Sequence, residues 1–148
     1  MAVSRVRQRE IVEVPYQLPD GSIRPHMGLV LSTDKLLDAE DGMFYAVLIS
    51  SKNQNPEFTI EILNEWLMKP LPKQSYFVTH IVTYYRTDEV IQSFNNFVKR
   101  EYFDPILFKV IHSMFDIELI DLVIPIYIVA CTAPADAGFL VVCFLVFL

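Results

Sequence analysis

The sequence predicts a mainly β fold followed by helical structure, and three observations lead to that prediction. Short segments rich in β-branched and aromatic residues recur between residues 10 and 84, separated by turn-forming residues at close spacing. This pattern is typical of a small antiparallel barrel or sandwich. After Thr87 the apolar residues recur at helical spacing instead. Residues 117–148 follow neither pattern, so we expect one domain over residues 1–116 and a separate apolar tail.

Five strands are predicted in order along the first part of the chain. They are "EIVEVPYQL", which runs into a tight-turn signal at Asp20–Gly21, and then "HMGLVLS", "FYAVLIS", "EFTIEIL" and "SYFVTHIVTYY". The fourth alternates, with Phe58, Ile60 and Ile62 on one face. The breaks at "LSTDKLLDAEDG", "KNQNP" and "KPLPK" are predicted to be turns.

Helical structure is predicted from Thr87, whose hydroxyl is a suitable N-cap and is followed by acidic residues. The apolar residues at helical spacing are Val90, Ile91, Phe94, Phe97 and Val98. Pro105 then marks a break or the first turn of another helix. That second segment carries Ile106, Leu107, Val110, Ile111 and Met114.

Charge and composition narrow the functional classes. A formal net charge of −6 argues against a surface that coats nucleic acid without specificity, although all 12 Lys and Arg lie before position 110. A basic face on the first part of the chain is therefore compatible with the sequence. With four glycines, no phosphate-binding Gly-rich loop is predicted. Cys131 and Cys143 lack metal-ligand spacing, so we expect two buried thiols and neither a metal nor a cofactor.

The two ends of the chain bear on localisation. The start, "MAVSRVRQREIVEV", has no apolar signal-peptide core, which predicts a cytoplasmic protein. In residues 117–148 neither apolar run reaches the roughly 20 residues of a spanning helix. Strands, a core hairpin, a membrane-inserted hairpin and a non-native tail all stay open. We expect the full chain to be poorly soluble or membrane-associated, and a truncation near Asp116 to be soluble.

Three segments resemble the PemK/MazF family of bacterial toxin–antitoxin toxins, over about residues 8–115. "REIVEVPY" is similar to the opening strand of that family, and "RPHMGLVLS" is similar to its Arg-Pro-small-hydrophobic-Val-Leu-Ser motif. "VLISSKNQNPEFTIEI" is similar to its strand that ends in a Thr or Ser pair, followed by a polar loop and another strand. The resemblance implies a five-stranded Src-homology-3-like barrel that forms a homodimer. It also implies metal-independent cleavage of single-stranded RNA and a cognate antitoxin partner.

The resemblance also implies site residues. The family uses an Arg at the entry of the second strand, which Arg24 matches if two residues are inserted before the strand. Counted back from Ser32 without a gap, His26 takes that position. Ser50 and Ser51 match the hydroxyl pair at the end of the third strand. A guanidinium can hold a phosphate bidentately without a metal, a neighbouring hydroxyl can bond to the same phosphate, and His26 can act as a general acid or base.

Further RNA contacts are predicted from basic residues outside that motif. In "RVRQRE" the alternate positions Arg5, Arg7 and Arg9 would form one basic face if the segment is extended, and Lys52 follows the Ser pair. A solvated arm and simple turn residues are the structural alternatives for these positions. The opening Arg9–Glu10, where the family has Gly-Asp, and His26 favour a second hypothesis. In it the domain is a catalytically silent protein-interaction module, in contact with membrane through its tail.

Overall fold

The structure is a computed structural model that describes residues 5–115. In this part of the chain six strands form one antiparallel sheet in the order β4-β5-β3-β2-β1-β6. The strands are β1 (Glu10–Gln17), β2 (Ile23–Val30), β3 (Met43–Ser50), β4 (Thr59–Glu61), β5 (Tyr76–Arg86) and β6 (Gln92–Phe97). The α-helices are α1 (Asp34–Ala39) and α2 (Arg100–Met114). A mainly β fold with a C-terminal helix is thus confirmed.

The first hairpin forms where the sequence predicts it. β1 and β2 pair from Ile11↔Leu29 to Gln17↔Ile23. The connecting turn contains Gly21 at φ 84°, a left-handed conformation that glycine adopts without a Cβ clash. Pairing over nearly the whole length of both strands makes this hairpin the scaffold for the residues described below.

Alternating side chains place two apolar layers on the two faces of the sheet. The first, here the α2 layer, includes the buried Ile11, Leu29, Val47, Phe77, Phe103, Ile106 and Val110, the last three from α2. The second, here the α1 layer, includes the buried Val12, Val14, Val30, Leu37, Phe44, Leu48 and Tyr85, with Leu37 from α1. Neighbouring residues of one strand, such as Leu29 and Val30, belong to opposite layers. Both faces of the sheet therefore carry buried side chains.

The helix predicted from Thr87 through Val98 is wrong. Thr87–Glu89 is a single 3₁₀ turn, and the following residues form β6, which pairs with Glu10–Glu13 of β1. Without β6 that edge of β1 would present unpaired backbone groups, and pairing satisfies them. Asn95 and Asn96 are poor helix formers, and Asn95 adopts φ 46° at a bulge in β6. Tertiary pairing overrides the helical spacing of the apolar residues here.

Three other boundaries differ from the sequence prediction. α2 begins at Arg100 and continues through Pro105, so that proline neither breaks nor starts a helix. The segment "LSTDKLLDAEDG", predicted to be a turn, contains α1, whose N-cap Thr33 accepts a bond from the N–H of Leu36. β4 keeps only three residues, because Pro56 opens a 3₁₀ turn ahead of it.

The prediction of a five-stranded barrel is also corrected, in the number of strands and in the closure of the sheet. The described strands number six, and their hydrogen-bonded order is linear, with β4 and β6 at the two edges. The sheet is therefore not closed, although an isolated bridge between Leu67 and Val98 connects segments near those edges. Among residues 5–115 no helix is long and apolar enough to cross a bilayer. The predictions for residues 117–148, including their membrane contact and the two cysteines, lie outside the described residues.

Candidate active site

The first half of β2 carries two of the predicted site residues on one face. Arg24 pairs with Tyr16 and His26 pairs with Val14 across the β1–β2 ladder. Paired residues of an antiparallel ladder project to the same face, and both Val14 and Tyr16 belong to or pack on the α1 layer. Arg24 is exposed and His26 is half-buried. The strand thus presents a guanidinium and an imidazole side by side at the end of this layer.

Pro25 explains why this half of β2 is open along one edge. The N–H of Leu18 donates to the carbonyl of Ser22, so these two residues form a hydrogen-bonded pair. Hydrogen-bonded and non-hydrogen-bonded pairs alternate along an antiparallel ladder, and Pro15↔Pro25 is the third pair after this one. Pro15 and Pro25 therefore exchange no hydrogen bonds. The missing N–H of Pro25 therefore faces β3. Pairing between β2 and β3 indeed stops at Met27↔Ile49. Among residues 5–115, the backbone beside Arg24 and His26 has no strand partner on that side.

The imidazole of His26 is held by two contacts. Its Nδ1 lies 3.2 Å from the carbonyl oxygen of Arg24, and its ring meets the ring of Tyr16 edge-on at a centroid distance of 5.3 Å. A carbonyl oxygen only accepts, so Nδ1 carries the proton in this contact. In the neutral ring Nε2 then has the free lone pair, which suits it to accept a proton from a bound ligand.

Ser50 ends β3, one residue beyond the last pair that β3 forms with β2. Continuing the β2–β3 register by one pair beyond Met27↔Ile49 would set Ser50 opposite His26, on the face of Leu48 and the α1 layer. The Oγ of Ser50 accepts the backbone N–H of Lys52 at 3.0 Å, which leaves its own hydroxyl hydrogen free to donate. Ser51 and Lys52 are exposed in the bend that follows. The bond from Lys52 fixes the start of that bend.

The three N-terminal arginines do not form one basic face in this structure. Arg5 forms an ion pair with Asp38 of α1, and the Arg7 guanidinium lies 5.2 Å from the ring centre of Phe97. Arg9 adopts φ 70° and donates from Nη1 to the carbonyl of Val98 at 3.0 Å. The backbone therefore turns at Arg9, and each guanidinium is directed to a different neighbour.

Tyr16 is a site residue that the sequence reasoning missed. It lies directly opposite Arg24 and touches His26, so it shapes the surroundings of both. The alternation of β1 contains the signal, because Tyr16 follows Val12 and Val14 at every second position. Finding it required the hairpin register, which the Asp20–Gly21 turn indicates.

Tyr85 lies at the end of the α1 layer, and the aromatic pair that it forms with Tyr84 in the sequence is a candidate either for stacking on bases or for closing the core. Its side chain is buried, and its hydroxyl has no hydrogen-bond partner in the described part of the chain. Burial raises the pKa of this phenol above its ordinary value, while the nearby Thr83 hydroxyl acts in the opposite direction without reaching hydrogen-bond geometry.

Within residues 5–115 no three His, Cys, Asp or Glu side chains come together in a metal-binding group.

Comparison with known proteins finds likeness in structure alone. No family model matches the sequence, and no curated protein matches it either. The solved structures that match include an endoribonuclease from Mycobacterial species in complex with its cognate antitoxin, at 11% identity and a TM-score of 0.55. That match covers 73% of this chain and 93% of the other.

Two further matches have the same character. The MazE–MazF complex from Deinococcus radiodurans matches at 10% identity, with a TM-score of 0.57, over 76% of this chain and 100% of the other. The Mycobacterium tuberculosis toxin MazF-mt6 matches at 11% identity, with a TM-score of 0.52, over 71% of this chain and 94% of the other. The domain therefore has the fold of a small toxin of the endoribonuclease class. More particularly, its fold is that of MazF, which confirms the PemK/MazF resemblance at the level of the fold.

Proposed function

We propose that this protein is a toxin-type endoribonuclease that cleaves single-stranded RNA without a metal ion. One structural observation carries the proposal: β2 presents Arg24 and His26 two residues apart, on one face, beside a backbone edge that no strand within residues 5–115 covers. The likeness to MazF supports the reaction class, because the solved relatives are described as endoribonucleases or as a toxin. An open edge and a shared face give an RNA strand room to approach both side chains.

The chemistry follows from the groups that these residues provide. Nε2 of His26 takes the proton of the ribose 2′-hydroxyl, and the 2′-oxygen forms a bond to the adjacent phosphorus as the bond from phosphorus to the 5′-oxygen breaks. The leaving 5′-oxygen receives a proton from solvent, so the products are a 2′,3′-cyclic phosphate and a 5′-hydroxyl. The guanidinium of Arg24 stabilises the charge that develops on the phosphate, and the Ser50 hydroxyl donates to the same oxygens.

Cleavage of short unstructured RNAs by the full chain in excess EDTA tests this function. We expect cleavage, and we expect Arg24→Ala or His26→Ala to slow it by about 10²- to 10³-fold, the usual effect of removing a group that stabilises the transition state. His80→Ala and Arg100→Ala are matched controls, since both residues are exposed and neither lies on β2. No cleavage across a diverse set of single-stranded RNAs would refute the enzyme proposal and leave the fold unaffected.

Partners follow from the same proposal. One matched structure is described as a complex with its cognate antitoxin, and another contains MazE with MazF, so we propose that an antitoxin protein also binds this chain and blocks its RNA site. We further propose a homodimer, in which two copies of the site form one groove for RNA. Sedimentation of the full chain measures the assembly directly, and a monomer at concentrations that support cleavage would exclude the dimer.

A catalytically silent interaction module is the second candidate, and one observation favours it. The cross-strand pair Tyr45 and Tyr84 is more than half exposed, as protein-binding surfaces often are. Induced expression in a bacterial host separates the two candidates. Growth arrest that Arg24→Ala relieves without loss of folded protein excludes the silent module, whereas normal growth at high expression supports it.

A further inference from the structure

An irregular segment of β5 has no part in the reaction described above. Along β3, Val47 pairs with Val82 of β5. The next residue of β3, Leu48, pairs with Val78, so one step along β3 corresponds to four steps along β5. Residues 79–81 therefore form a bulge that has no partner in β3. Bulges disrupt a ladder locally and redirect side chains, and they are frequent next to active sites.

The first residue of this bulge, Thr79, is completely buried, and its hydroxyl joins two other segments of the chain. Thr79 Oγ1 donates to the carbonyl oxygen of Phe58 at 2.9 Å and lies 2.7 Å from the Oγ of Ser113 in α2. Because a hydroxyl has a single hydrogen, and that of Thr79 is given to the carbonyl, Ser113 is the donor in the second bond. The two hydrogen bonds therefore run in one direction, from α2 through the bulge to Phe58.

Phe58 is the last residue of the segment that connects β3 to β4, here called the 51–58 loop. The pairing of β4 with β5 begins one residue later, at Thr59↔Val78. Continuing that register by one pair would set Phe58 opposite Thr79. The Thr79 hydroxyl thus extends the attachment of the loop to β5 past the end of the ladder. Since this bond is buried, water competes with it little.

Further hydrogen bonds lead from the end of the loop back to Ser50. Thr59 Oγ1 donates to Oδ1 of Asn53 at 2.7 Å. The preceding residue, Lys52, donates its backbone N–H to Ser50 Oγ at 3.0 Å. Lys52 and Asn53 are both exposed, so apolar burial does not fix this part of the loop. Its shape depends instead on these hydrogen bonds and on how the end of the loop is held.

We propose that Thr79 is a positioning residue for the Ser50 hydroxyl, which it orients toward the bound phosphate through the 51–58 loop. The inference rests on the proposed ribonuclease function and adds to it a buried residue that does not touch RNA. In that function the Ser50 hydroxyl donates to oxygens on which charge develops during cleavage. Its orientation therefore affects the transition state more than the binding of RNA, which the Arg24 guanidinium supports.

Steady-state cleavage of one unstructured RNA by the full chain in EDTA tests the proposal. Thr79→Val removes the hydroxyl and nearly keeps the shape of the side chain. We expect kcat to fall by about 2- to 10-fold, the range that loss of one hydrogen bond produces, with KM unchanged. Thr79→Ser keeps the hydroxyl and should retain the kcat of wild type. Ser113→Ala removes only the bond that polarises Thr79, so its kcat should fall less than that of Thr79→Val.

A second measurement separates positioning from a general loss of folded structure. In a Ser50→Ala background, Thr79→Val should cause no further fall in kcat, because the hydroxyl that Thr79 orients is already absent. His80→Ala is the matched control from the same bulge. His80 is exposed and meets the ring of Phe58 edge-on at a centroid distance of 5.3 Å, so its loss leaves the Thr79 hydroxyl in place. This control should keep the kcat of wild type.

The outcomes distinguish this proposal from the proposed function. If wild type cleaves RNA and Thr79→Val has the same kcat, the positioning role is overturned and the ribonuclease proposal stands. An equal fall in kcat with and without Ser50→Ala, or a loss in Thr79→Ser as large as in Thr79→Val, overturns it as well. Absence of cleavage by wild type overturns both proposals. If Thr79→Val does not fold, Ser113→Ala takes its place: a fall in kcat that disappears in the Ser50→Ala background supports the role, and an unchanged kcat overturns it.

Discussion

The two halves of β2 have opposite environments within one continuous strand. The second half, Gly28–Val30, is completely buried and pairs with β1 on one side and β3 on the other. A Cβ on Gly28 would come within 3.3 Å of the Ala46 Cβ, so the strands approach closely there. The first half, from Ile23 to His26, is exposed except for the half-buried His26, and at Pro25 the backbone faces β3 without an N–H.

The difference shows how the strand combines stability with access. The buried half fixes the strand in register, and that register determines the face on which Arg24 and His26 lie. The open half contributes little apolar burial and leaves its edge free for a ligand. Stability and chemistry are therefore assigned to different residues of the same element, and substitutions in each half should have different effects.

The largest expected effect comes from the buried half. Leu29 is fully buried in the α2 layer, so Leu29→Ala should lower the free energy of unfolding by about 2–5 kcal/mol through lost burial and a cavity. Ile23→Ala, in the same strand at 68% exposure, should change it by less than about 0.5 kcal/mol. Urea denaturation of both variants measures the difference. Equal losses for the two would contradict the division of β2.

The next effect is on activity and comes from the open half. Arg24→Lys keeps the charge but loses the planar fork that grips a phosphate, so RNA cleavage should fall, though less than in Arg24→Ala. Neither variant should change the free energy of unfolding by more than about 0.5 kcal/mol, since Arg24 is exposed. Rates and denaturation curves for the same preparations check both statements. Full activity in Arg24→Ala would remove this residue from the proposed mechanism.

A smaller effect is expected where the α1 layer meets the open half. Tyr85→Phe removes a buried hydroxyl that has no partner, so it should raise the free energy of unfolding by about 1 kcal/mol. The raised pKa of Tyr85 means that the folded protein holds this proton more tightly than the unfolded chain. The stability that this proton binding contributes to the folded protein is present below the unfolded pKa of 10.0 and is lost as the pH rises through the folded pKa.

The phenylalanine variant provides the control for that pH dependence. Between about pH 9 and pH 11, wild-type stability should fall more steeply than that of Tyr85→Phe, which lacks the titrating group. Parallel curves would show that the phenol is not buried as described. A loss of stability in Tyr85→Phe would show that the hydroxyl has a partner after all.

The predictability of the fold varied with the kind of signal. Local signals succeeded: Asp20–Gly21 gave the hairpin, and the β-branched runs gave the five strands that were predicted. The 87–98 segment failed because its apolar spacing fits a helix while its partner, the edge of β1, is distant in sequence. Periodicity reports which face is apolar, but it does not report which backbone edge needs a partner.

The candidate site was predictable in part for the same reason. Arg24, His26 and Ser50 follow from a short motif, and their common face follows from strand alternation. The arginines at positions 5, 7 and 9 were predicted to share a face only if extended, and the left-handed Arg9 breaks that geometry. A cleft lies between the end of the β1–β2 hairpin and the last residues of β5. It depends on the position of the β5 end relative to the hairpin, which no local sequence pattern encodes.

The smallest effect concerns the turn that joins the two strands of the hairpin. Asp20 accepts hydrogen bonds from the Ser22 hydroxyl and backbone N–H, and these bonds lower the pKa of its carboxyl below the ordinary 3.8. The stabilisation is therefore present above the unfolded pKa and is lost as the pH falls through the folded pKa. Asp20→Ala should lower the melting temperature slightly at neutral pH, and the difference from wild type should vanish toward about pH 2. Asp88→Ala is the control, because Asp88 is an exposed carboxylate outside this turn. If the melting temperature of Asp20→Ala stays below that of wild type by a constant amount down to that pH, the charged carboxylate of Asp20 does not stabilise the turn. The open half of β2 would then take its position from the strand pairing alone.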